Sequence, residues 1–221
     1  MKIIFVRHGY SEANKDHIFS NRNYEIHPLL PEGINQAKTV ASELKSKVEE
    51  GSPLFIYASP LLRAKQTAQF IADTFSQDYR VIDAILEFDV GSFEGTYYSE
   101  SWKKYEQLTQ DWFNNQNKGR RMGETGESYN DVINRFIPFV LESLPKNHPQ
   151  NATVILVGHG GTYKCMLPEV LEGFDHFSTK AIYLDNTEFV IAETQGEGQK
   201  LKTIYGPYFD LHKFKRGLIY I

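Results

Sequence analysis

The sequence is poor in the features that would assign its class at once. It contains one cysteine, Cys165, so no disulfide can form within the chain, which is typical of a reducing compartment. No apolar run approaches the roughly 18 residues of a membrane-spanning helix, and the first apolar stretch is too short for a signal peptide. The formal net charge of −4 argues against a nucleic-acid-binding protein, which would be basic. We therefore expect a cytoplasmic protein that binds neither a membrane nor nucleic acid.

Several catalytic motifs are also absent. There is no Gly-x-x-x-x-Gly-Lys-Ser/Thr loop for a nucleotide, no Gly-x-Ser-x-Gly elbow and no His-Glu-x-x-His zinc helix. The catalytic loop of a cysteine phosphatase needs an arginine six positions after its cysteine, and Leu171 stands there. The seven histidines show no metal-ligand spacing. We therefore expect neither a metal nor a cofactor.

The patterning predicts one mixed α/β domain. A chain of 221 residues, 41% of them hydrophobic, is long enough for one sizeable core, and we expect a single domain over 1–221. Strands alternate with helices early and the end is rich in strands, which predicts a mixed sheet with helices on both faces. The predicted strands are 3–6, 54–58, 80–82, 153–157, 181–184, 188–192 and 201–205. The predicted helices are 31–48, 60–75, 97–113, 128–144 and 162–171, with a loop over 14–27.

Two short apolar runs end at a glycine-flanked histidine. Residues 3–6 lead into Arg7 and His8, and residues 154–157 lead into His159. Each pattern is typical of a buried strand that carries an imidazole at its carboxyl end, which is where ligands of open α/β sheets bind. Two such histidines, one beside an arginine, indicate imidazole chemistry on an anion. The pattern predicts phosphoryl transfer through a phosphohistidine.

His8 is the candidate nucleophile. An ordinary imidazole has a pKa of about 6.5, so much of it is neutral near pH 7. Nearby arginines favour the neutral form, because a second cation raises the cost of protonation. A neutral imidazole can attack phosphorus directly and later leave as a protonated group. The alternative interpretation is a strand-end histidine that only satisfies hydrogen bonds.

Arg63 is the most informative partner. It falls in the first turn of the helix predicted after Ser59, the expected N-cap, where the helix dipole disfavours a cation. An anion is therefore expected there, and the preceding strand end brings Arg63 to the same rim as His8 and His159. The alternatives are a solvated surface arginine and, for His159, a buried structural histidine.

The leaving alcohol needs a proton from a carboxylic acid. Glu87, Asp89 and Glu94 lie in one short stretch, and their spacing does not choose between them. Each of the three is equally compatible with a solvated surface position.

Taken in order, these motifs resemble the histidine phosphatase superfamily, in the branch that includes cofactor-dependent phosphoglycerate mutases and broad-specificity phosphatases. The similarity covers most of residues 1–95 and 123–165. The matching segments are 6–9, 11–14, 27–30, Gly33, 36–37, 58–64, 66–68, 86–87, Gly91, 93–95, 126–128, 158–161 and 186–187.

The resemblance implies a three-layer α/β/α sandwich with a mostly parallel mixed sheet and a metal-independent activity on a small phosphorylated substrate. It implies that His8 is the phosphorylated nucleophile and that Glu87 is the proton donor. The residues that it implies around the phosphoryl group or the substrate are Arg7, Asn14, Ser20, Arg22, Arg63, His159 and the backbone of Gly160.

Two departures bear on the substrate. Tyr10 stands where family members usually carry Glu or Gln, and residues 19–23 lack a usual glycine. Residues 97–126 are shorter and more aromatic than the basic insertion of the mutases, which favours a phosphatase with a substrate lid at about 96–126. The aromatic residues there are equally explained by core packing.

Two rival functions stay open. One is a mutase, which returns the phosphoryl group to a second hydroxyl, and the other is a phosphate-binding or interaction module with weak turnover. The strand-rich end also offers an edge for a homodimer.

Overall fold

A six-stranded mixed sheet forms the centre of the computed structural model, which describes residues 1–173 and 184–206. The strands are β1 (Lys2–Arg7), β2 (Leu54–Ala58), β3 (Tyr79–Val81), β4 (Thr153–Gly158), β5 (Phe189–Glu193) and β6 (Lys202–Tyr205). Their order across the sheet is β3-β2-β4-β1-β5-β6. The first four strands are parallel to one another, and β5 runs antiparallel to both β1 and β6. The mostly parallel mixed sheet is confirmed.

Helices cover both faces of the sheet. They are α1 (Glu12–Asp16), α2 (Pro31–Leu44), α3 (Leu62–Phe75), α4 (Tyr98–Phe113), α5 (Tyr129–Pro138), α6 (Leu144–Asn147) and α7 (Gly160–Val170). Side chains alternate along β1, so Ile4 and Val6 pack with α2 and α3 while Ile3 and Phe5 pack with α4, α5 and α7. Two hydrophobic cores on opposite faces make the predicted three-layer α/β/α sandwich.

The central strands β1 and β4 are continuous apolar runs because both of their faces are buried. They pair in parallel with Ile3 opposite Val154 and Arg7 opposite Gly158. The two strands therefore end at the same edge of the sheet. His8 and His159 follow at once, so this register places both histidines side by side.

Several boundaries differ from the predictions. The predicted loop over 14–27 begins with the end of α1, and α2 ends at Leu44 rather than at residue 48. The helix expected from Pro60 begins at Leu62, with Leu61 as its N-cap, so the prediction of Ser59 as the N-cap is wrong. The helix expected over 128–144 continues through a π-turn at Phe139–Ser143 into α6, with Pro138 and Pro145 at the junctions.

Other predicted elements shift by one or two residues. The strands expected at 80–82, 188–192 and 201–205 are β3, β5 and β6, and the last helix starts at Gly160. Most of the strand predicted at 181–184 lies outside the described residues. Among the helices that the structure describes, none combines the length and the hydrophobicity needed to cross a membrane.

Backbone contact between two glycines joins the loop after β1 to the start of α2. A Cβ on Gly9 would lie 2.6 Å from the carbonyl oxygen of Gly33, and a Cβ on Gly33 would overlap the carbonyl oxygen of Tyr10. Neither overlap can be relieved by a side-chain rotation, because the neighbouring atoms belong to the backbone.

We therefore expect Gly33→Ala to lower the free energy of unfolding by about 1–3 kcal/mol, the usual cost of overpacking. Gly119→Ala is the control, because the nearest atom to its added Cβ is 3.9 Å away. That variant should stay within about 0.5 kcal/mol of the wild type. Urea unfolding of the three proteins measures the difference, and equal losses in both variants would contradict the packing argument.

Candidate active site

His8 and His159 meet where β1 and β4 end. Their ring centroids are 5.1 Å apart and their planes are tilted by 58°. Both residues are buried, His159 completely. The expectation that two distant strand ends bring two imidazoles to one place holds in the structure.

The hydrogen bonds of His8 define its tautomer. Nδ1 lies 2.7 Å from the carbonyl oxygen of Gly9, which only accepts, so Nδ1 carries the hydrogen. The lone pair is then on Nε2, which accepts a hydrogen bond of 3.2 Å from Nε of Arg63. Burial, followed by the charges of Arg63 and Arg7, holds the pKa of His8 well below its usual range. His8 is therefore a neutral imidazole with its lone pair on Nε2.

Arg63 is a buried cation with spare hydrogen-bonding capacity. Its Nη2 donates to the carbonyl oxygen of Ser20 at 2.8 Å, while its buried Nη1 has no hydrogen-bond partner. Burial lowers the pKa of this guanidinium to about 10, and the charge of Glu87 opposes that shift. A buried donor left open beside a nucleophile is what an anion-binding pocket requires.

Arg7 lies near the same residues and contributes, after burial and Arg63, to the lowered pKa of His8. It is 8% exposed, and its Nη1 donates to the carbonyl oxygen of Leu184 at 2.6 Å. A Cβ on Gly160 would lie 3.1 Å from Nε of Arg7, so this guanidinium packs against the first residue of α7. The glycine makes room for a cation at the helix N-terminus.

His159 presents one ring nitrogen to the pocket. Its Nε2 lies 2.7 Å from Oγ of Ser59, and its buried Nδ1 has no hydrogen-bond partner. The backbone N–H of Leu61 also donates to this Ser59 oxygen, at 3.5 Å. A hydroxyl can accept a second hydrogen bond or donate its own, so both neutral tautomers of His159 fit this contact. Burial, followed by the charge of Arg63, holds the pKa of His159 well below its usual range.

The structure separates the three carboxylates that the sequence left equivalent. Glu87 sits at the N-terminus of α7, where Oε1 accepts from the backbone N–H of Thr162 at 2.6 Å and Oε2 from that of Gly161 at 2.9 Å. These two backbone hydrogen bonds fix both carboxyl oxygens of Glu87 at the start of α7. Of the three candidates, Glu87 has the strongest charge interaction with Arg63.

Asp89 and Glu94 hold a neighbouring loop instead. Asp89 makes a two-point ion pair with Arg22, at 2.8 and 2.9 Å. Glu94 accepts from the backbone N–H groups of Asn21 and Arg22. These carboxylates therefore position residues 19–23, and the Arg22 side chain, predicted near the substrate, is turned toward Asp89.

The remaining predicted residues lie around this centre. The carbonyl of Ser20 contacts Arg63 and its Oγ is buried without a hydrogen-bond partner. Asn14, in α1, accepts hydrogen bonds from Ser11 and shares a contact with Asn186, whose amide also reaches the carbonyl of His8. The roles of Ser59 and Asn186 were not predicted, although both residues lie within motifs that the resemblance had marked.

The described residues show no candidate site for a metal ion or for a reactive thiol. There, no group of three or more His, Cys, Asp or Glu side chains is arranged to hold a metal ion. Cys165 is buried in α7, and burial raises the pKa of its thiol to about 12. It is a packing residue.

Comparison with known families decides the classification. Residues 3–206 match the model of the histidine phosphatase superfamily (branch 1). The chain belongs to this family. The resemblance noted in the sequence is thereby confirmed.

Named relatives of this histidine phosphatase chain include phosphoserine phosphatases. It is 32% identical over 201 residues to phosphoserine phosphatase 1 of Hydrogenobacter thermophilus, with 86% of this chain and 90% of that protein covered. It is 29% identical to the metal-independent phosphoserine phosphatase of Arabidopsis thaliana, covering 86% and 79% of the two chains. The crystal structure of a phosphoserine phosphatase from Entamoeba histolytica in complex with 3-phosphoglyceric acid is 25% identical, with a TM-score of 0.74 over 93% of this chain and 95% of that one.

The buried neutral state of His8 predicts a pH dependence of stability. The unfolded chain takes up a proton on this residue as the pH falls through about 6.5, whereas the folded protein resists it down to a lower pH. The contribution of His8 is therefore complete above pH 6.5 and is lost between that value and the folded pKa, with a slope of up to about 1.4 kcal/mol per pH unit.

Urea unfolding between pH 8 and pH 5 measures this effect when the wild type is compared with His8→Asn, which has no titrating ring. We expect the difference in unfolding free energy between the two proteins to change in favour of the variant below pH 6.5. Parallel pH profiles would show that folding does not keep His8 neutral.

Proposed function

We propose that this protein is a phosphomonoester hydrolase that acts through a phosphohistidine on His8. The observation that carries the proposal is the lone pair on Nε2 of a neutral, buried His8, directed toward the guanidinium of Arg63. A phosphoryl group bound to Arg63 would lie beside that lone pair. The match of residues 3–206 to the histidine phosphatase superfamily supports the same chemistry.

The phosphoryl oxygens would be held by groups of opposite charge or by hydrogen-bond donors. Nη1 of Arg63 and Nδ1 of His159 are buried and lack hydrogen-bond partners, which supports their use by a ligand. The other proposed contacts are Arg7, Asn14, Ser20 and the backbone N–H of Gly160. Such fixed donors stabilise the charge that spreads over the equatorial oxygens in the transition state.

In the first step Nε2 of His8 forms a bond to phosphorus while the bond from phosphorus to the leaving oxygen breaks. Glu87 donates its proton to that oxygen, so a neutral alcohol departs. Oε2 of Glu87 accepts only the Gly161 N–H among its hydrogen bonds and retains the capacity to hold this proton. In the second step Glu87 takes a proton from water as the water oxygen attacks phosphorus, the N–P bond breaks, and inorganic phosphate leaves.

The substrate proposed is a small phosphoester of the phosphoserine type, as in the named relatives. Residues 96–126 are proposed as its lid. In their support, Tyr98 at the start of α4 interacts electrostatically with Arg63 and its ring lies 4.6 Å from that of Phe19, whereas Trp112 at the other end is fully buried in the core. The core-packing interpretation applies to both ends of α4, because Tyr98 and Trp112 pack in the same hydrophobic core.

A cytoplasmic location and a homodimer complete the proposal. The strand β6, which ends the described part of the sheet and has Ile204 and Tyr205 half exposed, is the surface that supports pairing with a second copy.

A labelling experiment tests the proposed intermediate. The protein is mixed with radiolabelled phosphoserine, quenched within milliseconds, and examined for an acid-labile, alkali-stable phosphoryl label. We expect the label and inorganic phosphate production in the wild type and in the control His27→Asn, and neither in His8→Ala. Full turnover by His8→Ala would overturn the assignment. An isomer formed in place of inorganic phosphate, with a bisphosphoglycerate primer, would identify a mutase.

Glu87→Gln should reveal which step needs the proton. We expect phosphoenzyme formation from phosphoserine, whose alkoxide leaves poorly, to slow by about 10²–10⁴-fold. The same step with p-nitrophenyl phosphate should change little, since its phenolate leaves unprotonated. Single-turnover kinetics measure both rates, with the exposed Glu142→Gln as the control. Equal losses with the two substrates would assign Glu87 a structural role in holding α7.

A further inference from the structure

A four-residue turn at residues 185–188 docks onto the end of β1. The N–H of Glu188 donates to the carbonyl of Asp185 at 2.9 Å and closes the turn. Two backbone hydrogen bonds of 3.1 Å then join it to Arg7, one from the Arg7 N–H to Glu188 and one from the Thr187 N–H to the Arg7 carbonyl. The turn is therefore fixed to the residue that precedes the nucleophile.

Thr187 holds an uncommon backbone conformation in this turn. Its φ of +65° is in the left-handed region, which β-branched residues rarely adopt. Backbone strain of this kind persists where the surroundings enforce it, and it is concentrated at functional sites. Here the strained residue presents Asn186 to the carbonyl of His8, at 3.0 Å.

The amide of Asn186 also reaches Asn14. Oδ1 of Asn14 accepts from the Ser11 N–H at 3.1 Å, from the Ser11 hydroxyl at 3.0 Å and from Nδ2 of Asn186 at 3.4 Å. Three donors around one oxygen assign the orientation of the Asn14 amide, so its NH2 group is directed away from them. In the proposed mechanism this NH2 group is the part of Asn14 that contacts a phosphoryl oxygen.

We propose that Asn186 is a positioning residue that keeps the NH2 group of Asn14 turned toward the phosphoryl group and anchors the His8 carbonyl. One amide group serves both purposes, because its two N–H hydrogens are available to the carbonyl oxygen of His8 and to Oδ1 of Asn14. The proposal rests on the proposed function, in which Asn14 contacts the phosphoryl group. It assigns a purpose to residues 186–187, which the mechanism above does not use.

Substitution by a carboxylate gives the sharpest test. Asn186→Asp has nearly the same shape but no donor, so it repels Oδ1 of Asn14. Rotation of the Asn14 amide relieves that repulsion and turns an oxygen toward the phosphoryl group. We expect the affinity for inorganic phosphate to fall by roughly 10- to 100-fold, the size of one hydrogen bond to a charged group. Asn186→Ala should cost less, and Asn35→Asp on the exposed face of α2 controls for the added charge.

A double-mutant cycle separates positioning from a general structural role. Titration calorimetry with inorganic phosphate is run on Asn186→Ala, on Asn14→Ala and on the double variant, with urea unfolding of each. The uncharged variant is used in the cycle because a carboxylate at position 186 repels phosphate whether or not the Asn14 amide is present. In the Asn14→Ala background we expect Asn186→Ala to have little further effect on phosphate affinity. The same loss in both backgrounds would overturn the proposal, as would a loss of affinity that only follows a loss of stability.

The readout also separates this proposal from the proposed function. Phosphate binding needs no turnover, so the coupling of Asn186 to Asn14 is measured even if no phosphohistidine forms. Failure of the coupling in a protein that does form the phosphohistidine would remove the positioning role and leave the phosphatase mechanism intact.

Discussion

The pocket depends on the positive charge of Arg63, which is kept away from water and which the charge of Glu87 only partly offsets. In the described part of the chain, Arg63 forms hydrogen bonds with His8 and Ser20 but no ion pair, and its burial is severe enough to lower its pKa to about 10. A buried cation whose charge is only partly compensated is costly for the folded protein. The same cost becomes binding energy for an anion that enters, because electrostatic attraction is strongest where water is excluded.

That charge also prepares the nucleophile. Burial and then the charges of Arg63 and Arg7 suppress protonation of His8 and keep its lone pair available, and in the proposed mechanism the same charges bind the phosphoryl group. The Gly9 carbonyl then determines which nitrogen is unprotonated. Transfer of a phosphoryl group to Nε2 brings negative charge into the field, which is why a phosphorylated state suits this pocket better than a protonated one.

The sequence supplied much of the site because the decisive signals were local. Two buried strands stood out as uninterrupted apolar runs, and Arg63 stood out because it opposes a helix dipole. Spacing alone does not separate Glu87 from Asp89 and Glu94. What distinguishes Glu87 is its hydrogen bond to the N-terminus of α7, and the donor, Gly161, lies 74 residues further along the chain. The local pattern predicts Ser59 as a helix cap, because its hydrogen-bond partner His159 is 100 residues away in the sequence and local patterns do not show it. The substrate lid stays a prediction, because Tyr98 and Trp112 at the two ends of α4 both pack against the hydrophobic core.

The position of β1 in the sequence affects how the protein folds during translation. This strand is translated before its hydrogen-bonding neighbours β4 and β5, which begin only at Thr153 and Phe189. At a synthesis rate of about 5–20 residues per second, β1 is made roughly 7–30 seconds before the first of these neighbours. A ribosome-bound chain therefore carries an unpaired apolar segment throughout that interval, and shielding by a chaperone would matter most during that time.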